Sequence, residues 1–205
     1  AAQHPDYVRF VPGGGCSSHV GRRGGMQAIT LGAGCTTGNT IHDSRRAFNF
    51  LFSHRSIVEG NLLEKNSTGV IALNSEGMIV RNNRILHAMD ASGAGIALKE
   101  TSAAIVVDNE IVHCAHGLMA DSPMDPYNRI VMVNNLFAHN LTAIYFYGAF
   151  GGHIAIANTF RNNLWPVSIV GDGDQGAGCH ARSPCLTETD AVRPVINSPL
   201  GGELV

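Results

Sequence analysis

The chain has 205 residues, of which 44% are hydrophobic and 15% charged, and its formal net charge at pH 7 is -2. This length suits a single domain, and so apolar a composition excludes intrinsic disorder. Without a cluster of Lys or Arg there is no basic surface for nucleic acid, and no run of eighteen apolar residues predicts a membrane span. We therefore expect neither nucleic-acid binding nor direct membrane insertion.

The N-terminal segment is rich in glycine and contains no full repeat. Residues 1–35 are therefore predicted to form a partial first coil or a cap. They have no basic region followed by an apolar stretch, so we expect a signal peptide to be absent or already removed. The odd number of cysteines in the chain leaves at least one unpaired. The cysteines are Cys16, Cys35, Cys114, Cys179 and Cys185.

A repeat marked by asparagine occupies the middle of the chain, with spacings of 22, 22, 26, 26 and 23 residues. Each unit contains short runs of alternating apolar residues, which are typical of strands, and none contains a helix-length periodic segment. The sequence therefore predicts an all-β fold, a right-handed parallel β-helix of about six coils over residues 36–171. The repeating asparagines are Asn39, Asn61, Asn83, Asn109, Asn135 and Asn158.

These asparagines are expected to have a structural role. A sharp bend between two strands needs a residue that tolerates positive φ, and asparagine does so at a low steric cost. In stacked coils, each side-chain amide can also bond to the asparagines above and below it. We therefore assign these positions to the fold and not to chemistry.

Two segments depart from the repeat. Residues 121–128, with the sequence DSPMDPYN, are predicted to form a loop inserted into one coil, because two prolines there prevent strand pairing. Residues 172–205 are predicted to form an irregular C-terminal tail or cap. Whether Cys179 pairs with Cys185 in that tail stays open.

The fourth residue after each repeating asparagine is a histidine in three consecutive coils, His87, His113 and His139. In register these imidazoles would stack in a column, where protonated neighbours repel, so that some stay neutral and able to bind a metal. Imidazole together with soft sulfur suits Cu(I). The alternative is that solenoid surfaces often repeat one residue type without chemistry. The candidate metal ligands are His87, Met89, His113, Cys114, His116, Met119 and His139.

A second column consists of outward-facing residues on the strand that follows the small residue of each repeat. We expect an exposed stripe there, which would dock a protein or sugar rings. Ordinary surface scatter, or cover by the C-terminal tail, is the alternative interpretation. The residues of the predicted binding surface are Ile71, Leu73, Lys99, Tyr145 and Tyr147.

Catalytic residues are not evident. Enzymes that cleave polysaccharides on this fold need clustered carboxylates. The acidic residues here are scattered over different positions of the coils, so none is assigned a catalytic role. The scattered candidates are Asp90, Glu100, Asp108, Asp121 and Asp125.

The segments NNRILHAMDASGAGIALKETS, NEIVHCAHGLMADSP, NNLFAHNLTAIYFYG and NTFRNNLWPVSIVG resemble the NosD-type periplasmic proteins. The resemblance implies a periplasmic, non-catalytic β-helix that assists copper-site maturation of nitrous oxide reductase. It implies an ABC transporter and the apo-reductase as partners and copper as cofactor. It makes His87, Met89, His113 and Met119 plausible copper contacts.

Three functions are compatible with the sequence. The first is a metal-handling maturation factor. The second is a carbohydrate-active enzyme, a uronate polymer lyase or epimerase. The third is a non-catalytic carbohydrate- or protein-binding solenoid that docks through the face carrying Tyr145 and Tyr147. Fold alone does not choose among them.

Overall fold

The computed structural model describes residues 34–121, 129–147 and 153–170, together with the backbone of four short strands outside these ranges. Residues 122–128 of the predicted loop lie outside the described residues, and so do Cys16, Cys179 and Cys185. Every regular element that the structure describes is a β-strand. This confirms the all-β prediction.

Each of the six coils between residues 34 and 170 contributes one strand to each of three sheets, and the strands are numbered in chain order. The first sheet contains β3 (Cys35–Thr37), β6 (Ile57–Glu59), β9 (Ile79–Arg81), β12 (Ile105–Val107), β15 (Val131–Val133), β18 (His153–Ile156) and β21 (Leu186–Thr187). The second contains β1 (Arg22–Arg23), β4 (Thr40–His42), β7 (Leu62–Glu64), β10 (Arg84–Leu86), β13 (Glu110–Val112), β16 (Leu136–Ala138), β19 (Thr159–Arg161) and β22 (Ile196–Asn197). The third contains β2 (Met26–Ile29), β5 (Arg46–Leu51), β8 (Thr68–Leu73), β11 (Ala94–Lys99), β14 (His116–Asp121), β17 (Thr142–Tyr147) and β20 (Trp165–Val170).

Strand pairing is parallel throughout the described sheets, and each strand pairs with its counterpart in the next coil. In the third sheet, for instance, Val70 pairs with Ile96, which pairs with Leu118, which pairs with Ile144. All four side chains are buried. This register confirms the prediction of a parallel β-helix with one continuous core.

Small residues are needed where the third-sheet strands begin, because the backbone of the next coil approaches closely. A β-carbon added to Gly95 would lie 2.7 Å from the carbonyl oxygen of Gly117, and one added to Gly117 would lie 2.5 Å from that of Ala143. Distances this short are not tolerated without movement of the backbone. The glycine preceding the apolar alternation in these repeats is therefore a packing requirement.

The repeating asparagines form one buried ladder through six coils. In each step, the backbone N–H and the side-chain Nδ2 of one asparagine both donate to Oδ1 of the next, as from Asn83 to Asn109 at 3.0 Å each. The Nδ2 group also donates to a carbonyl of the preceding coil, as from Asn109 to Val80 at 2.9 Å. The same Asn-to-Asn pair of bonds occurs from Asn39 through Asn61, Asn83, Asn109 and Asn135 to Asn158.

The prediction that these asparagines themselves adopt positive φ is wrong. The positive φ falls on the residue immediately before each of them, as at Asn82 with φ 53° and Asp108 with φ 55°. The bend is thus made one residue earlier, which turns the asparagine side chain inward along the ladder. The residues with positive φ at this bend are Gly38, Gly60, Asn82, Asp108, Asn134 and Ala157.

Candidate metal centre at the second bend

The second bend of each coil connects its second-sheet strand to its third-sheet strand, and the three predicted histidines begin this bend. His87, His113 and His139 directly follow β10, β13 and β16, with φ values of 59°, 55° and 56°. Left-handed backbone costs histidine less than it costs a β-branched residue. All three side chains are exposed. We call these three residues the histidine column.

The rings of the histidine column are stacked nearly parallel. The ring centroids of His87 and His113 lie 5.1 Å apart with an interplanar angle of 4°, and those of His113 and His139 lie 4.9 Å apart at 17°. Backbone hydrogen bonds between coils hold the spacing, since His87 N–H donates to Val112 and His113 N–H donates to Ala138. The structure thus brings these three predicted ligands together.

Stacked rings do not by themselves form a chelating site. The nitrogen lone pairs lie in the ring planes, so those of parallel rings run side by side instead of converging. Within residues 34–121, 129–147 and 153–170, no three His, Cys, Asp or Glu side chains are arranged as a metal site. Metal binding by the column therefore requires rotation of the exposed side chains.

The protonation state of the central histidine favours metal binding. Partial desolvation lowers the pKa of His113, and the charges of His139 and His87 lower it further. The neutral imidazole is the form that binds a metal. His113 therefore keeps a free lone pair to a lower pH than an isolated histidine does.

Met89 follows His87 by two residues, in the loop that the four-residue insertion adds to its coil. Its side chain is exposed, while Ala88, between it and His87, is buried. The loop closes with a hydrogen bond from Gly93 N–H to the carbonyl of Asp90 at 2.7 Å. A thioether next to imidazoles provides a soft donor set that suits Cu(I).

Cys114 follows His113 in sequence but does not join the column. Its side chain is completely buried and faces the core, and its Sγ lies 3.5 Å from the carbonyl oxygen of Val112. Burial raises the pKa of this thiol to about 11. The thiolate that a metal requires is therefore strongly disfavoured, and Cys114 is corrected from a candidate ligand to a core residue.

A second, shorter ladder explains the position of Cys114, and the sequence analysis missed it. Asn140 and Asn163 bond to each other at the second bend as the main ladder does, with Nδ2 to Oδ1 at 3.0 Å. The N–H of Cys114 donates to Oδ1 of Asn140 at 2.8 Å. The signal was present at the fifth position after each repeating asparagine. That column reads Ser44, Asn66, Ala88, Cys114, Asn140 and Asn163.

His116 and Met119 lie on a different surface, the outer face of the third sheet. The His116 ring stacks on Tyr145 with centroids 5.0 Å apart, and burial lowers the pKa of His116. Met119 pairs in register with Tyr145 on one side and Ala97 on the other. The predicted ligand set therefore separates into two groups, one at the second bend and one on the third sheet.

The predicted binding surface is only partly exposed. Ile71 is 6% exposed and packs with Ala94 and Ala97. The expectation that Ile71 is an exposed contact is therefore wrong. Leu73 and Tyr145 are half-buried, and the Lys99 Nζ lies 3.9 Å from Asp121. Tyr147 is the member of this group with an exposed ring.

Residues 21–176 match the family described as periplasmic copper-binding protein (NosD). The match spans well over half of the chain. The chain belongs to the NosD family. The family is described as periplasmic. Among the described residues, no helix is long and apolar enough to cross a membrane.

Some solved structures resemble this NosD-family chain at low sequence identity. One described as the complex structure of XylC with xylose has a TM-score of 0.57 and 13% identity, over 72% of this chain and 33% of that chain. The catalytic domain of a GH87 alpha-1,3-glucanase in complex with nigerose has a TM-score of 0.47 and 13% identity, over 76% and 34%. At such low identity, the likeness to XylC establishes the fold alone.

Matches to curated proteins are partial. SHC SH2 domain-binding protein 1 of Mus musculus is 28% identical over 102 residues, which is 48% of this chain and 15% of that protein. Zinc metalloproteinase nas-36 of Brugia malayi is 54% identical over 39 residues, 18% of this chain and 7% of that protein. The chain thus spans a small fraction of these curated relatives.

Proposed function

We propose that this chain is a non-catalytic periplasmic protein that binds copper as Cu(I) on the histidine column and acts as an accessory in copper-site assembly of nitrous oxide reductase. The observation that carries the proposal is the stack of His87, His113 and His139, three imidazoles in consecutive coils about one strand spacing apart. The description of the NosD family as copper-binding supports the choice of metal.

The donor set fits copper on chemical grounds. The lowered pKa of His113 keeps a neutral imidazole available in the middle of the column. His87 in the preceding coil and His139 in the following coil are exposed, so either side chain can turn to share an ion with His113. Met89, also exposed, supplies a thioether at the end of the column nearest His87. Cu(I) binds thioether sulfur and imidazole nitrogen at low coordination numbers, whereas Mg²⁺ and Ca²⁺ prefer oxygen ligands.

The exposure of the histidine column favours transfer of a bound copper ion over its permanent storage. All three histidine side chains lie at the surface of the described part of the chain. An exposed ion with few ligands remains accessible to a second protein. We propose that the apo-reductase and an ABC transporter are the partners of this exchange, as membership of the NosD family suggests.

The test is an anaerobic Cu(I) titration against a chromophoric chelator, with the wild type and with His87, His113 and His139 all replaced by Asn. Asparagine tolerates the left-handed backbone of these positions, so the fold is expected to survive. The wild type should withdraw Cu(I) from the chelator and the triple variant should not.

The matched control is His42→Asn. His42 is also a surface histidine, but it is the last residue of β4, one residue before the second bend of its coil, and lies outside the column. Its Nδ1 lies 2.9 Å from the Asp43 carboxylate. This variant should bind Cu(I) like the wild type. If the triple variant also retained wild-type affinity, the column would not be the copper site.

A further inference from the structure

The last two described coils present an apolar patch directly beside the histidine column. Leu141, two residues after His139, is 49% exposed, and its counterpart in the next coil, Leu164, is 45% exposed. Trp165, which follows Leu164, is 59% exposed. We call these three residues the leucine–tryptophan patch.

Coil stacking makes these residues neighbours. Leu164 N–H donates to the carbonyl of Asn140 at 3.0 Å, and Trp165 N–H donates to that of Leu141 at 2.8 Å. The two leucines therefore occupy equivalent positions one coil apart, with the tryptophan at the start of β20. At the same position in the coil of His113, the chain has Ala115, which is buried. The patch thus begins level with His139 and continues away from His113.

In the described part of the second bend, two exposed leucines in successive coils occur at this end, whereas the third coil has the single exposed side chain of Met89. In the first two coils, the corresponding residues are Arg45 and Ser67, so nothing comparable lies there. Large exposed apolar side chains side by side cost solubility, and such groups on a surface typically mark an interaction site. Tryptophan is also the residue most often found at energetically dominant positions of interfaces.

A positive charge borders the patch. Arg161 ends β19, is exposed, and forms no ion pair with another described residue. Its carbonyl accepts the N–H of His139 at 2.9 Å, which places its backbone beside the end of the column. The Arg161 guanidinium therefore attracts a carboxylate of a partner to this end of the second bend.

We propose that the leucine–tryptophan patch with Arg161 is the docking site of the protein that exchanges Cu(I) with the histidine column, and that this partner contacts it with an apolar segment carrying a carboxylate. The proposal rests on the proposed function for the identity of the cargo. It adds where the partner sits and with what chemistry. Docking there places the partner's copper ligands next to His139, so His139 is the ring nearest the exchange.

The test compares Cu(I) transfer from the loaded protein to two acceptors, apo-nitrous oxide reductase and a small chromophoric chelator. The variant is Leu141→Gln with Trp165→Gln, and a second variant is Arg161→Glu. Transfer to the apo-reductase should slow about tenfold or more in the first variant, as expected on loss of central interface side chains. In Arg161→Glu it should slow, and added salt should then speed it, because the variant repels the partner's carboxylate. Transfer to the chelator should stay at the wild-type rate in both.

The matched control is Ile105→Gln, which changes an exposed aliphatic residue of the first sheet, far from the second bend. It should leave both transfers unchanged, and circular dichroism should show that all variants are folded. Equal rates to the apo-reductase in wild type and patch variants would overturn the proposal. So would a concentration-dependent dimer of the wild type that Leu141→Gln with Trp165→Gln abolishes, because the occupant would then be a second copy.

Failure of the copper site is distinguishable from failure of the docking site. Binding of apo-reductase to the copper-free protein, measured by calorimetry, tests the patch without any metal. If the histidine column does not bind Cu(I), this binding and its loss in the patch variant are still expected. If the column binds Cu(I) but the patch variant binds apo-reductase like the wild type, only the docking site is refuted.

Discussion

Replacement of Asn109 by alanine tests the ladder that holds the coils in register. The side chain of Asn109 accepts two hydrogen bonds from Asn83, from its N–H and its Nδ2, at 3.0 Å each. It donates to Oδ1 of Asn135 at 3.0 Å and to the carbonyl oxygens of Val80 and Val107 at 2.9 and 3.0 Å. All of these bonds are lost in Asn109→Ala.

The magnitude follows from which groups are left without a partner. The buried N–H of Asn83 loses its acceptor, which costs about 1–3 kcal/mol. The Nδ2 of Asn83 keeps its bonds to Val58 and Arg81, so its loss is smaller. Each of the bonds donated by the Asn109 side chain contributes about 1 kcal/mol, and relaxation of the neighbouring groups recovers part of this loss. The free energy of unfolding should therefore fall by about 4 kcal/mol.

The assay is urea unfolding followed by circular dichroism, with Asn134→Gly as the control. Asn134 is exposed, precedes the ladder residue Asn135 and has a φ of 51°, which glycine adopts readily. It loses a single bond to Asp108, so its unfolding free energy should change by less than about 0.5 kcal/mol. A loss below about 1 kcal/mol for Asn109→Ala would refute the structural role of the ladder.

Two further predictions concern the second bend. Cys114→Asn should raise the free energy of unfolding by about 1 kcal/mol in the same urea assay. The new side-chain amide can donate to Asn140 and accept a hydrogen bond from the N–H of Ala88. A variant less stable than the wild type would contradict this. Because the pKa of His113 is lower in the folded protein, the unfolded chain binds more protons as the pH falls through about 6.5, so His113 makes stability decline towards acid pH. Between about pH 7 and pH 5, the free energy of unfolding should therefore fall less in His113→Asn than in the wild type, as measured by urea unfolding at each pH. An equal fall in both proteins would show that His113 does not titrate as described.

The architecture was predictable because the repeat consists of a few residue types with strong conformational preferences. Asparagine at constant spacing, followed by a short apolar alternation, has few structural solutions besides stacked coils. The same register brought His87, His113 and His139 together, since each lies four residues after its ladder asparagine. Period and register are properties of the sequence alone.

Details that depend on side-chain direction were not predictable from spacing. Whether Asn83 or the preceding Asn82 makes the bend is decided by which side chain turns inward to the ladder. Cys114 lies next to His113 in sequence, yet one points into the core and the other into solvent. The second ladder was overlooked because Ala88 and Cys114 interrupt it, so its asparagines do not recur in every coil.

The burial of Ile71 on the third sheet was also not predictable from the sequence. Alternation correctly places Ile71 on the outer face, and alternation normally implies exposure there. Ala94 and Ala97 in the next coil are small, however, and Ile71 packs with them into a separate apolar cluster. Burial of an outward residue depends on neighbours in other coils, which a single strand does not reveal.

X-ray absorption at the copper K-edge of the Cu(I)-loaded protein tests the histidine column most directly, because it reports the ligands of the metal itself. We expect the scattering pattern of two imidazoles, with or without one thioether sulfur, and its loss when His87, His113 and His139 are replaced by Asn. A spectrum with sulfur ligands alone, or an imidazole pattern unchanged in the triple variant, would contradict the assignment of the copper site.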